Sequence, residues 1–212
     1  MIELEVNNEI YNIPNSYKEL KLKEYQQIAA IDKDDKFKDL KIIQVLSGID
    51  LDVLKQASFH SLKPVIKSIL FLFNQDNYNL QRVIKFENKQ YGFIKDFDKL
   101  TFAEYIDLEE FSKEPIENIH ILMAIFYRPL KNKVDLNIYN NDDQYETETY
   151  DDGEVLDRSE EFKNLDMDVV LGALFFFIIL KLEFMKSLKA SLKEHQKEIE
   201  KMMSHLKHQK TK

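Results

Sequence analysis

One pattern of strands and helices occurs twice in this 212-residue chain, with residue 85 answering to residue 5, and few folds accommodate such a repeat. Ile2, Leu4 and Val6 alternate with polar neighbours, Asn7-Asn8 offers a turn, and Ile10, Tyr11 and Ile13 lead to Pro14. Alternation of period two around such a turn predicts a β-hairpin over residues 1–13. A helix follows from near Leu20, with Leu22, Tyr25, Ile28 and Ala29 at helical spacing. The order then recurs: Val83, Ile84 and Phe86, a turn at Glu87-Asn88-Lys89, then Tyr91, Phe93 and Ile94. Thr101 and Glu104 form a capping-box signature that opens the next helix.

Aligned without a gap, residues 5–28 and 85–108 share Asn8 with Asn88, Tyr11 with Tyr91, Leu20 with Leu100, Glu24 with Glu104 and Tyr25 with Tyr105. Apolar helices follow in both halves, near Leu40–Leu46 and Ile119–Ile125. The expected fold is α+β and mostly helical, a duplicated hairpin-plus-helices unit. The expected divisions are residues 1–80, residues 81–180 with an acidic insertion at 135–161, and a basic C-terminal helix at 181–212. The expected core is Ile42, Ile43, Leu46, Ile69, Leu70, Phe73, Ile121, Leu122, Ile125, Leu174, Phe176 and Ile179, since their helices are apolar on more than one face.

Composition narrows the function. Gly and Pro, four of each, are too few for the many tight turns of an all-β barrel. The absence of cysteine excludes disulfides, thiolate metal sites and a Cys nucleophile. A net charge of −8 argues against a general affinity for nucleic acid. The N-terminus, Met1-Ile2-Glu3-Leu4-Glu5, does not read as a signal peptide. Val169–Leu180 is the most apolar run, and at ~1.5 Å per residue it falls well short of a ~30 Å hydrocarbon core. It reads as a buried helix rather than a membrane span.

No motif of catalysis stands out. Gly48, Gly92, Gly153 and Gly172 are isolated, so no phosphate loop is present, and no Gly-x-Ser-x-Gly elbow occurs. His205 and His208 lie one helical turn apart without a third ligand, and His120 sits within an apolar helix as a hydrogen-bonded core residue would. Asp142, Asp143, Asp151, Asp152 and Glu154 crowd together, but no register supplies the Gly and the closing Glu of an EF-hand loop. The reading is a non-enzyme without cofactor or metal. The insertion, with eleven acidic residues between Asp135 and Glu161 and Arg158 its one basic residue, is expected to be a solvated, mobile loop. Tyr139, Tyr145, Tyr150 and Phe162 would let it order against a partner.

The strongest local signal is the tail. Met185, Leu188, Leu192, His195, Ile199, Met202 and Leu206 alternate spacings of three and four along one seam, with Lys, Glu and Gln beside them. Only His195 breaks the apolar series. Isolated helices of this length are marginal, so the seam needs cover. The cover is either the protein's own body or a helix from a second copy or another protein. Met185, Leu188, Leu192, Ile199, Met202 and Leu206 are therefore the candidate partner-binding residues.

Three stretches carry a resemblance: Val6–Pro14, Leu100–Ile106 and Ala124–Pro129. They resemble segments of small proteins encoded among the structural genes of tailed bacteriophages, including tail-assembly chaperones. The resemblance implies a non-catalytic assembly protein that binds phage structural proteins, such as a helical tape-measure-like client, in the cytoplasm of a bacterial host. The acidic insertion and basic tail depart from that pattern. They leave open a permanent virion component in the tail, connector or capsid interior, and self-association.

Overall fold

Asn7 and Asn8 both take positive φ, 53° and 66°, the backbone that a two-residue hairpin turn of the primed type requires and that Asn tolerates. They join β1 (Ile2–Val6) to β2 (Glu9–Ile13), paired antiparallel from Val6 opposite Glu9 to Ile2 opposite Ile13. The computed structural model describes residues 1–73, 78–136 and 145–182, in two units, Met1–Ala173 and Leu174–Lys212. In the first unit α1 (Leu22–Ala29), α2 (Lys38–Ser47), α3 (Leu51–Gln56) and α4 (Phe59–Ser68) follow the hairpin. A second hairpin, β3 (Val83–Phe86) and β4 (Lys89–Phe93), then leads to α5 (Phe102–Phe111) and α6 (Ile119–Phe126). Short β5 (Tyr127–Pro129) returns to β4, and α7 (Asp152–Phe162) packs on α6. Residues 167–173 are helical and close the first unit; of the second, residues 174–182 are described, and they too are helical.

The fold is therefore α+β and mostly helical, with both hairpins where alternation predicts them. The hairpins occupy separate sheets of two and three strands. The elements of the second half begin at the offset of the sequence match: α1 at Leu22 and α5 at Phe102, β3 at Val83 and β1 at Ile2 within one residue. Each helix start also carries a Glu three residues on that accepts from the cap amide, and at α5 the Thr101 hydroxyl completes the reciprocal pair. Glu24 accepts from the Lys21 amide at 2.8 Å, and Glu104 accepts from the Thr101 amide at 2.5 Å.

Ile42, Ile43, Leu46, Ile69, Leu122 and Ile125 are buried as expected. Leu70 and Phe73 are not, being 53% and 60% exposed. The chain leaves the α-helical path after Ser68 and winds as a 3₁₀ turn over Ile69–Phe73. With three residues per turn, Ile69 and Leu72 share the inner face, and Leu70 and Phe73 turn outward. Ile121 is half-buried, as are Leu174 and Phe176, while Ile179 is exposed on the helix of the second unit.

The largest correction concerns the acidic insertion. Residues 137–144, with Tyr139, Asp142 and Asp143, lie outside the described residues, but 145–162 is anchored to the core by Tyr145, Val155, Arg158, Ser159 and Phe162, with its acids exposed. The Tyr145 ring is buried against Gly92, where a Cβ would meet it at 2.5 Å, and its hydroxyl donates to the Phe93 carbonyl at 2.6 Å. Glu148 donates to the Pro129 carbonyl at 2.9 Å and Lys131 to that of Glu146 at 3.0 Å, so the segment runs along β5. Three of the acids mark a helix start rather than filling a loop. Asp151 accepts from the Glu154 amide at 3.2 Å, and Asp152 and Glu154 sit in the first turn of α7, where negative charge meets the positive end of the helix dipole. Val155, Arg158, Ser159 and Phe162 form the inward stripe.

Beyond α7, residues 163–167 return to the first hairpin unit. Leu22 and Lys23 donate to the carbonyls of Leu165 and Lys163 at 2.9 and 2.8 Å, Met167 donates to that of Leu20 at 2.9 Å, and Lys21 pairs with Asp166 at 2.5 Å. Replacing Ile125 by Ala is expected to cost about 2–5 kcal/mol in urea unfolding, and Ile121→Ala about half as much, because Ile121 leaves a smaller void.

Candidate functional site

The tail residues Met185, Leu188, Leu192, Ile199, Met202 and Leu206, together with His195, His205 and His208, lie outside the described residues. The described helical turns preceding them carry their own apolar stripe. Phe175, Ile178, Ile179 and Leu182 are exposed, at helical spacings of three, four and seven from Phe175. Among the described residues no helix is long and apolar enough to cross a membrane.

A second exposed stripe lies on α5 of the first unit. Phe102, Tyr105 and Ile106 stand on one side of the helix, and Phe102 is 78% exposed. Leu22, the residue of α1 at the same distance from its cap, is 0% exposed, because residues 163–167 run over the start of α1. Of the six acids in residues 102–117, Glu104 is buried and Asp107 half-buried, and Glu109, Glu110, Glu114 and Glu117 are exposed beside the stripe with Lys113.

The inner face of α5 is fixed by a buried polar group of unusual density. Glu104 pairs with the guanidinium of Arg128 on β5 while its other oxygen caps the helix. The Arg128 guanidinium lies 5.6 Å from the centre of the Tyr150 ring, a cation–π geometry, and the Tyr150 hydroxyl donates to Asp107 on α5. Burial, reinforced by that hydrogen bond, pushes the Tyr150 phenol well above its usual range. Burial lowers the pKa of Arg128 from its ordinary value, and the nearby Arg158 adds to the effect. Arg158 on α7 donates from Nη2 to the Ala124 carbonyl at 3.0 Å, satisfying an acceptor in the last turn of α6. Arg128 and Tyr150 were missed as site residues from sequence. The only signal was the capping box at Thr101-Glu104, which says nothing of the second bond that Glu104 makes.

A groove of about 430 Å³ lies where β4 and β5 meet α7, lined by Lys89, Tyr91, Lys133, Glu148, Asp157 and Arg158 among others. Among the described residues, no Ser, Thr or His lines it. Among the described residues no three His, Asp or Glu side chains converge as metal ligands. His120 is half-buried, with Nδ1 3.2 Å from the Gln26 amide nitrogen and Nε2 4.0 Å from Glu160. It ties α6 to α1, the hydrogen-bonded role that its place in an apolar helix predicts.

Glu104→Ala removes a cap and strands a buried guanidinium, and is expected to cost about 3–5 kcal/mol in denaturant unfolding; Glu104→Gln, which can still accept from Thr101, should cost less. Burial, followed by the charge of Lys163, holds the pKa of His120 below its ordinary value. The unfolded chain therefore takes up this proton first as pH falls through the ordinary histidine range near ~6.5. The neutral imidazole contributes stability above that range, and the contribution is lost on acidification toward the lowered folded value. Thermal melting across this interval should show stability falling with pH, and His120→Gln should flatten the profile.

Comparison with known protein families, with curated proteins and with solved structures finds no match to this chain.

Proposed function

We propose that the protein is a non-catalytic bacteriophage assembly protein that binds a helical structural protein in the host cytoplasm, in the manner of a tail-assembly chaperone. The observation that carries this reading is the exposed stripe Phe175, Ile178, Ile179 and Leu182. An apolar stripe with anchors at three, four and seven is the geometry by which one helix lies against another. The seam Met185, Leu188, Leu192, Ile199, Met202 and Leu206 extends the same chemistry along the sequence. The resemblance of Val6–Pro14, Leu100–Ile106 and Ala124–Pro129 to phage assembly proteins supplies the class of partner. A holder of such clients needs apolar anchors and a net charge that keeps it dispersed, which −8 provides.

Co-expression with the helical tape-measure-like protein of the encoding phage tests the reading. The client should co-purify with the wild-type chain and be lost when Ile178 and Leu182 are both replaced by Asp. Purified mature particles should lack the protein. Its presence there at a fixed copy number would favour a permanent virion component instead.

A further inference from the structure

We propose that the face of α5 bearing Phe102, Tyr105 and Ile106 is the receiving surface for the C-terminal segment of a second copy of this chain, from residue 174 onward, so that two copies close reciprocally when no client is bound. The inference rests on the proposed helix-binding role of that segment and adds its resting partner.

Three observations support it. The first is the contrast between the two hairpin units. Both have a hairpin, a Glu that accepts from the cap amide and a helix beginning at the same offset, yet among the described residues only α1 has its outer start covered. The covering stretch, 163–167, is held on α1 by two backbone bonds and the Lys21–Asp166 pair. The corresponding surface on α5 keeps a phenylalanine in water, a large apolar side chain that gains by being covered.

The second is charge. Residues 102–117 expose Glu109, Glu110, Glu114 and Glu117 with one lysine, whereas residues 181–212 hold nine lysines and four glutamates. A basic segment laid on α5 would cover its apolar stripe with charge of opposite sign, which steers the approach as well as stabilising the contact. The third is stoichiometry. Each copy carries one acidic stripe and one basic segment, so two copies satisfy both at once. Such closed, self-complementary pairing is the commonest form of oligomer and leaves no apolar stripe to recruit further copies.

The full chain, studied by sedimentation velocity in low salt, should be a reversible dimer. Tyr105→Asp with Ile106→Asp should raise the dimer dissociation constant at least about tenfold, a loss of ~1.4 kcal/mol. Ile178→Asp should do the same, and combining the two sets should add little beyond either, since both remove one contact. All three side chains are exposed, so circular dichroism should stay unchanged. Raising the salt should weaken the dimer, because opposed charges at a surface are screened. The chain has no cysteine, which makes a direct mapping clean. A Phe102→Cys protein mixed with an Ile178→Cys protein should form a mixed disulfide dimer under mild oxidation.

A monomer at every concentration would overturn the proposal, as would a dimer indifferent to the α5 changes. So would a disulfide formed only within the doubly substituted chain. The helix-binding role is tested separately, since loss of client on Ile178→Asp in a strictly monomeric protein would remove the dimer and leave that role standing.

Discussion

Two guanidinium groups meet inside the second half of the first unit, and the arrangement around them depends on how their charge is met. Arg128 lies between the Glu104 carboxylate and the face of Tyr150; Arg158 gives a hydrogen bond to the end of α6. Moving either cation out of water costs several kcal/mol unless its surroundings return most of that in directed contacts. Those contacts come from five elements. Helix α5 gives Glu104 and Asp107, α6 the Ala124 carbonyl, β5 Arg128, α7 Arg158, and the segment leading into α7 Tyr150. The polar group therefore fixes which side of α5 faces inward, and so which side, with Phe102, Tyr105 and Ile106, faces water.

Around this group the aromatic side chains supply the bulk of the core. Phe93 makes edge or tilted contacts with Phe97, Phe126 and Tyr127, and Phe162 of α7 meets Phe86 and Tyr91 edge-on. Phe162 is thus the hydrophobic counterpart of Arg158 one turn earlier. Together they make α7 part of the core, although most of its residues are charged or polar. The same chain that brings α7 to α6 then continues through residues 163–167 to cap α1. One stretch of sequence so ties the second hairpin unit to the first, and the unequal exposure of Leu22 and Phe102 follows from its covering α1 and not α5.

The hairpins, the helix starts at Leu22 and Phe102 and most of the α2 and α6 core were legible in the sequence because each rests on contacts close along the chain. Alternation, an Asn-Asn turn and a Glu three residues after its cap need no knowledge of distant neighbours. The inward stripe of α7 was hidden because two of its four members, Arg158 and Ser159, are polar. Their burial is tolerable only because α6 presents a carbonyl to Arg158 and the serine hydroxyl bonds within its own helix, to Leu156 at 2.7 Å. The outward turn of Leu70 and Phe73 was equally hidden, since a tightening from α to 3₁₀ winding leaves no mark in an unbroken apolar run.

The sequence by itself determined the elements and the order in which they recur, because hydrogen bonds within a turn of helix or across a hairpin are satisfied locally. It also determined that nothing in the chain provides a thiolate, a phosphate loop or a nucleophile elbow. Only the tertiary structure decided the fate of the charged residues. Whether an acid is solvated, caps a helix or neutralises a buried arginine depends on what distant segments bring within about 3 Å of it, and that distance is set by packing. The stretch from Tyr145 to Phe162 is anchored to the core for that reason, with its acids left at the surface, and Phe102 stayed in water for the same one.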